Sequence, residues 1–125
     1  RVVEATEVAQ PIEEAADFLA LYQIEAPMSQ AQDLTRILVK CCEQLSLGLE
    51  HLPSFRDLDQ YWIEIHRLEN DGDRVSRDAV ASLFSNGIDP MVVIRWKDMF
   101  AVLEKAIDAT ENAAHILEGI VIKNS

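Results

Sequence analysis

At 125 residues the chain has material for one domain and no second core. Its 49% hydrophobic and 26% charged residues are the proportions of a globular protein, and four Gly with four Pro are too few turn formers for an all-β fold. The 22 acidic against 11 basic residues leave a net charge of -11, which argues against nucleic acid or an anionic membrane surface as a direct partner.

The first element is expected around Pro11, a good first helical residue, with Glu13 and Glu14 where the helix dipole favours acids. Ile12, Ala15, Ala16, Leu19 and Tyr22 continue a helical period, and residues 2–9 extend it as a kinked helix or a separate short piece. Pro27 breaks this element. Ser29 and Gln32 then form a capping-box pattern for a second helix, with a stripe at Ala31, Leu34, Leu38, Cys41, Leu45, Leu49 and Leu52. Pro53 and Ser54 are expected to end that helix and to open a third over about 54–84, with Asp57 as the capping partner of Ser54. Its stripe is Leu58, Ile65, Leu68, Val75, Ala79 and Leu83. Asn86-Gly87 marks a turn, and Asp89-Pro90 supplies the cap and first residue of a fourth helix running to about Ile122. Val92, Trp96, Met99, Leu103, Ile107, Ala114, Leu117 and Val121 form its stripe. Short loops between long amphipathic helices predict an all-α, antiparallel up-down bundle.

Cys41 and Cys42 are adjacent in a helical stretch, which suits no structural disulfide. They read as core and near-core residues of a protein in a reducing compartment, with a reactive or metal-binding thiol pair as the alternative. There is no signal-peptide pattern and no apolar run of about eighteen residues. The chain opens at Arg1 without an initiator Met, as a fragment would.

Polar residues border two of the apolar stripes. His66, Glu69 and Asp73 share one face of the third helix, while Glu104, Asp108, Glu111, His115 and Glu118 follow one another by three and four along the fourth. Carboxylates and imidazoles lining a bundle interior are costly unless cations or basic groups neutralise them. A hairpin centred near Gly87 puts Glu69 level with Glu104, and His66 level with Asp108, at about 1.5 Å of rise per residue. Carboxylates from facing helices are how di-metal centres are built in helical bundles. The Glu-x-x-His motif of ferritin-type oxidases is absent. A solvated flank paired with Lys97, Lys105, Arg74 and Arg77 is the alternative.

LYQIEAP, YWIEIHRLENDGDRVSRDAVASLF and IDPMVVIRWKDMFAVLEKAIDATENAAHILEGIVIKNS together resemble the PhoU-like family of bacterial phosphate-transport regulators, in particular the Pit accessory proteins. The similarity runs from about Asp17 to Ser125. It implies an all-helical fold of two three-helix repeats, with acidic Glu/Asp-x-x-x-Asp motifs that hold multinuclear iron or other metals. Carried over, LENDGD supplies Glu69 and Asp73 as ligands, and LEKAID supplies Glu104 and Asp108. Glu111, His115 and His66 are accessory candidates. Asp71-Gly72 departs from the usual wording of the motif but keeps its spacing. Family members are longer, so the expectation is one PhoU-like domain over 1–125 that lacks the first repeat. The motif of the preceding helix is blurred, with Glu4 and Glu7 its only acids. Trp62, Trp96 and Phe100 are expected in the core, or on a face covered by a second copy.

The implied role is regulatory. It is that of a cytoplasmic accessory protein at the inner face of the membrane, docking on a Pit-type phosphate transporter without inserting, with bound iron or zinc and a tendency to homo-oligomerise. A metal-free interaction module is the runner-up. A metal-dependent hydrolase comes third, since no nucleophile–base pair, organic-cofactor motif or phosphate-binding loop accompanies the carboxylates.

Overall fold

The computed structural model of the chain describes residues 29–85 and 89–123, together with Gln10, Pro11 and Glu13. Those three isolated residues are helical, and Gln10 is already so ahead of Pro11. The rest of the first element, the Pro27 break and the Asn86-Gly87 turn lie outside the described residues. Three helices follow: α1 (Ser29–His51), α2 (Asp59–Ser85) and α3 (Pro90–Lys123), with a 3-10 turn at Leu52–Ser54 between the first two. No strand occurs among the described residues, and the fold is an all-α helical bundle.

Each helix packs on both others. Gly48 of α1 meets Trp62 of α2, and Ile37 lies beside Gly72, so numbering falls on one helix as it rises on the other. Those two helices are therefore antiparallel. The same holds for α2 and α3, where Ser76 reaches Glu104 and His66 reaches Glu111. The core divides along the bundle. One end is built on Leu34, Leu38, Leu68, Leu83, Phe100 and Ile107, and the other on Leu45, Leu58, Trp62, Ile65, Ala114 and Leu117. Each large aliphatic side chain taken fully out of water contributes roughly 1.5–3 kcal/mol. Trp62 and Phe100, at 2% and 0% exposure, belong to this core and not to a subunit face. Among the described residues, the two polar side chains buried with them are both satisfied. Thr110 Oγ1 donates to the Ile107 carbonyl at 2.7 Å, and Ser76 Oγ donates to Glu104 at 3.0 Å.

Several local expectations are corrected. In α1 the stripe continues through buried Gly48, leaving Leu49 48% exposed, because the Trp62 indole occupies the space a side chain at 48 would need. The Ser29 hydroxyl binds the neighbouring Gln30 side chain, not the helix backbone. The third predicted helix begins at Asp59 rather than near Ser54. Ser54 Oγ is held in the turn instead, donating to the His51 carbonyl at 2.8 Å and accepting the Arg56 N–H at 3.2 Å. Phe55 and Asp57 adopt left-handed backbone conformations, with φ of 52 and 54, which reverse the chain before α2. The His51 and Tyr61 rings stack across this turn at 5.7 Å.

The start of α3 follows the sequence reading. Asp89 Oδ1 accepts the Met91 N–H at 2.8 Å, the Asp89 carbonyl accepts that of Val93 at 3.0 Å, and Pro90 is the first helical residue. Inside that helix Val93 is buried and Val92 is not. Cys41 and Cys42 are free thiols, the first buried and the second half-buried. Burial pushes the Cys41 thiol up to about 11, so it is inert at neutral pH. No helix among the described residues is long and apolar enough to cross a membrane.

Candidate metal centre

The LENDGD stretch lies in the middle of α2, and its three acids have different fates. Asp71 is half-buried and is claimed by cations outside the seam, with Arg67 at 2.9 Å and Arg74 at 3.2 Å. Arg67 also holds Glu64 through its Nε at 3.0 Å, which keeps the Glu64 carboxyl below its usual range. Such exposed pairs contribute little to stability. Glu69 and Asp73, one turn apart, look the other way along the seam with α3. Gly72 between them lets α2 approach its neighbours closely, since a Cβ there would lie 3.2 Å from Ile107 and 3.7 Å from Ile37. That explains the glycine within the acidic motif.

On α3, Asp108 brings a carboxylate oxygen within 4.8 Å of those of Glu69 and Asp73. Glu104 stands one turn earlier, hydrogen-bonded to Asp73 and to the Ser76 hydroxyl. The four carboxylates form a chain, Glu104–Asp73–Glu69–Asp108. Burial, the Asp73 contact and the neighbouring Glu111 and Asp108 push Glu69 up to about 8. Burial likewise raises Glu104, with Asp73 adding to it and Ser76 opposing. It also raises Asp108, against a hydrogen bond from Glu69. The groups acting most strongly on Glu69 are all acids, and Arg74 is engaged by Asp71 outside the seam. Glu69, Glu104 and Asp108 therefore hold their protons more tightly than free carboxyls do.

The facing register differs from the hairpin estimate. Glu69 meets Asp108, four positions beyond Glu104, and His66 meets Glu111, three positions beyond Asp108. Further along the seam, His66 Nδ1 lies 3.2 Å from Glu111 Oε2 and its Nε2 lies 3.3 Å from Glu118 Oε1. The His115 ring is 4.6 Å away, centroid to centroid. Burial disfavours the charged imidazole, but Glu111 and Glu118 outweigh it and raise His66 above its ordinary value. All seven candidates from the sequence therefore line one α2–α3 seam, in two groups. Sequence reasoning left out Ser76 and placed Glu118 on the polar face without giving it a ligand role. The signal for Glu118 is its spacing of three from His115.

Four carboxylates and one hydroxyl make an oxygen-only donor set. Such sets suit hard cations such as iron(III), manganese or magnesium better than zinc, and paired carboxylates across a bundle can bridge two ions. The donor chemistry and the clustered, proton-retaining acids fit a metal.

No family model and no solved structure matches the chain. The UPF0111 protein YkaA of Bacillus subtilis is 25% identical over 121 residues, which cover 95% of this chain and 59% of that protein. A UPF0111 protein of Thermotoga maritima is 28% identical over 123 residues, covering 93% of this chain and 56% of the relative. The chain thus spans less than two thirds of the length of these relatives. Over nearly its whole length it is similar to UPF0111 proteins.

Proposed function

We propose that the protein is a regulatory accessory subunit of inorganic phosphate transport, acting by contact with a Pit-type transporter, and that the α2–α3 seam binds a multinuclear metal centre. The observation that carries this reading is the convergence of Glu69, Asp73 and Asp108, with Glu104 joined to Asp73, on one seam of the bundle. The resemblance of LENDGD and LEKAID to the PhoU-type acidic motifs supplies the connection to phosphate transport. In this reading Glu69, Asp73, Glu104 and Asp108 hold the metal. A bound cation would supply the positive charge that offsets the crowded acids and would tie α2 to α3. The side chains themselves orient one another, and Ser76 fixes one Glu104 oxygen.

The test uses membrane vesicles with and without a Pit-type transporter. The protein is expected to sediment with the transporter-containing vesicles and to alter their rate of phosphate uptake. The Glu69→Gln/Glu104→Gln variant should do so weakly or not at all. Equal sedimentation with both vesicle types and unchanged uptake would contradict the transporter reading.

A further inference from the structure

We infer that His66, His115 and Glu118 form a second cation site, separate from the carboxylate cluster and suited to a borderline divalent ion of the Zn2+ type. The inference rests on this trio's own geometry and depends neither on the carboxylate cluster nor on any transporter.

One donor atom from each of the three residues lies within 4.8 Å of the others. His66 Nε2 and Glu118 Oε1, 3.3 Å apart, already stand at about the ligand-to-ligand separation of a tetrahedral zinc site with bonds of roughly 2.0–2.2 Å. An ion between them takes the place of the shared proton. The opposite ring nitrogen of His66 lies 3.2 Å from Glu111 Oε2. That is the carboxylate–histidine–metal arrangement, in which a carboxylate outside the coordination sphere fixes the tautomer and the plane of the ring. Glu111 is therefore a positioning residue. His115 is exposed, its ring lies 4.6 Å from that of His66, and one of its nitrogens already lies within 4.8 Å of the other two donor atoms. Two imidazoles and one carboxylate leave a fourth position, and exposed His115 together with half-buried His66 and Glu118 leaves it open to water.

The donor types separate this site from its neighbour. Imidazole selects zinc, cobalt or nickel, whereas the all-oxygen cluster around Glu69 and Asp73 selects harder ions. One seam then carries two centres of different preference, with His66 about one turn of α2 from Glu69 and about two from Asp73.

Cobalt(II) titration of the full chain, free of any affinity-tag histidines and followed by visible ligand-field absorption, tests this. The parent should bind Co2+ with the spectrum of a nitrogen-containing site, and excess Zn2+ should displace it. His115→Ala, at an exposed position that leaves the fold intact by circular dichroism, should weaken binding roughly tenfold or more and change the spectrum. Glu111→Gln should keep the spectrum and weaken binding by roughly 10–100-fold. Glu69→Gln/Asp108→Asn removes any cobalt held by oxygen ligands alone and should leave the bands of the nitrogen-containing site, and their titration midpoint, in place. An absent spectrum in the parent, or one that His115→Ala leaves intact, would overturn the site. Loss in the Glu69→Gln/Asp108→Asn variant as well would overturn its separateness.

Discussion

Replacing Gly48 by Ala is expected to destabilise the protein, although the same change in an open helix stabilises it. A Cβ at position 48 would overlap the six-membered ring of Trp62 at Cη2 and Cζ3. That ring is 2% exposed and wedged among Leu45, Leu58, Ile65 and Leu117, so it has no free direction to retreat. Overpacking of a filled core costs about 1–3 kcal/mol, against a helix-propensity gain of about 1 kcal/mol for Gly→Ala. The net is a melting temperature lowered by several degrees. Gly119 provides the control, because a Cβ there meets nothing within 4 Å. Gly119→Ala should therefore raise stability by up to about 1 kcal/mol. Thermal unfolding of both variants checks the pair, and a Gly48→Ala protein more stable than the parent would refute the Gly48–Trp62 packing.

The second large effect is a pH dependence that the seam imposes on the metal-free protein. Glu69 is raised from 4.5 to about 8 by burial and by the neighbouring acids. A carboxyl whose folded value exceeds its unfolded one contributes stability that is fully present below the unfolded value and is lost as pH climbs through the folded one. The window for Glu69 is thus about pH 4.5 to about 8. Glu104 and Asp108 are raised too, so they act in the same direction. So does His66, whose contribution disappears as pH rises beyond 6.5 through its elevated folded value. Glu64 runs the other way, as a solvent-facing carboxyl held low by Arg67. Allowing for the water that screens half-buried groups, the loss is on the order of 1–2 kcal/mol. The chelated protein should melt lower at about pH 8.5 than at about pH 5.5, and manganese should recover the stability lost at the alkaline end. Glu69→Gln should flatten the profile and raise the melting temperature at the alkaline end. Identical profiles for parent and variant would place the pH dependence elsewhere.

Features set by neighbouring residues could be read from the sequence. Asp89-Pro90 announced both the cap and the first residue of α3, because an N-cap needs only a side-chain oxygen and a backbone N–H two residues on. The shared seam of Glu69, Asp73, Glu104 and Asp108 was visible in spacings of four beside apolar stripes, although Asp108 lies exposed at its edge. Features set by other helices were not visible. Ser54 and Asp57 have the spacing of a capping pair, yet the Ser54 hydroxyl is used within the turn and α2 starts at Asp59. Gly48 carries no hydrophobic signal, so periodicity favoured Leu49. Only the indole of Trp62, fourteen positions away, shows why the glycine is inside. The α2–α3 register moved by three to four residues because side-chain packing, not the turn's midpoint, decides which levels meet. That shift separated the histidines from the carboxylate cluster and gave them Glu118 as a partner.

Elemental analysis of the protein purified without chelator decides whether the acids of the seam hold metal. Iron or another hard cation is expected near stoichiometrically in the parent and should be lost from Glu69→Gln/Glu104→Gln at unchanged helical content. Parent protein that carries no metal, and takes none up from iron or manganese solutions near neutral pH, would contradict it.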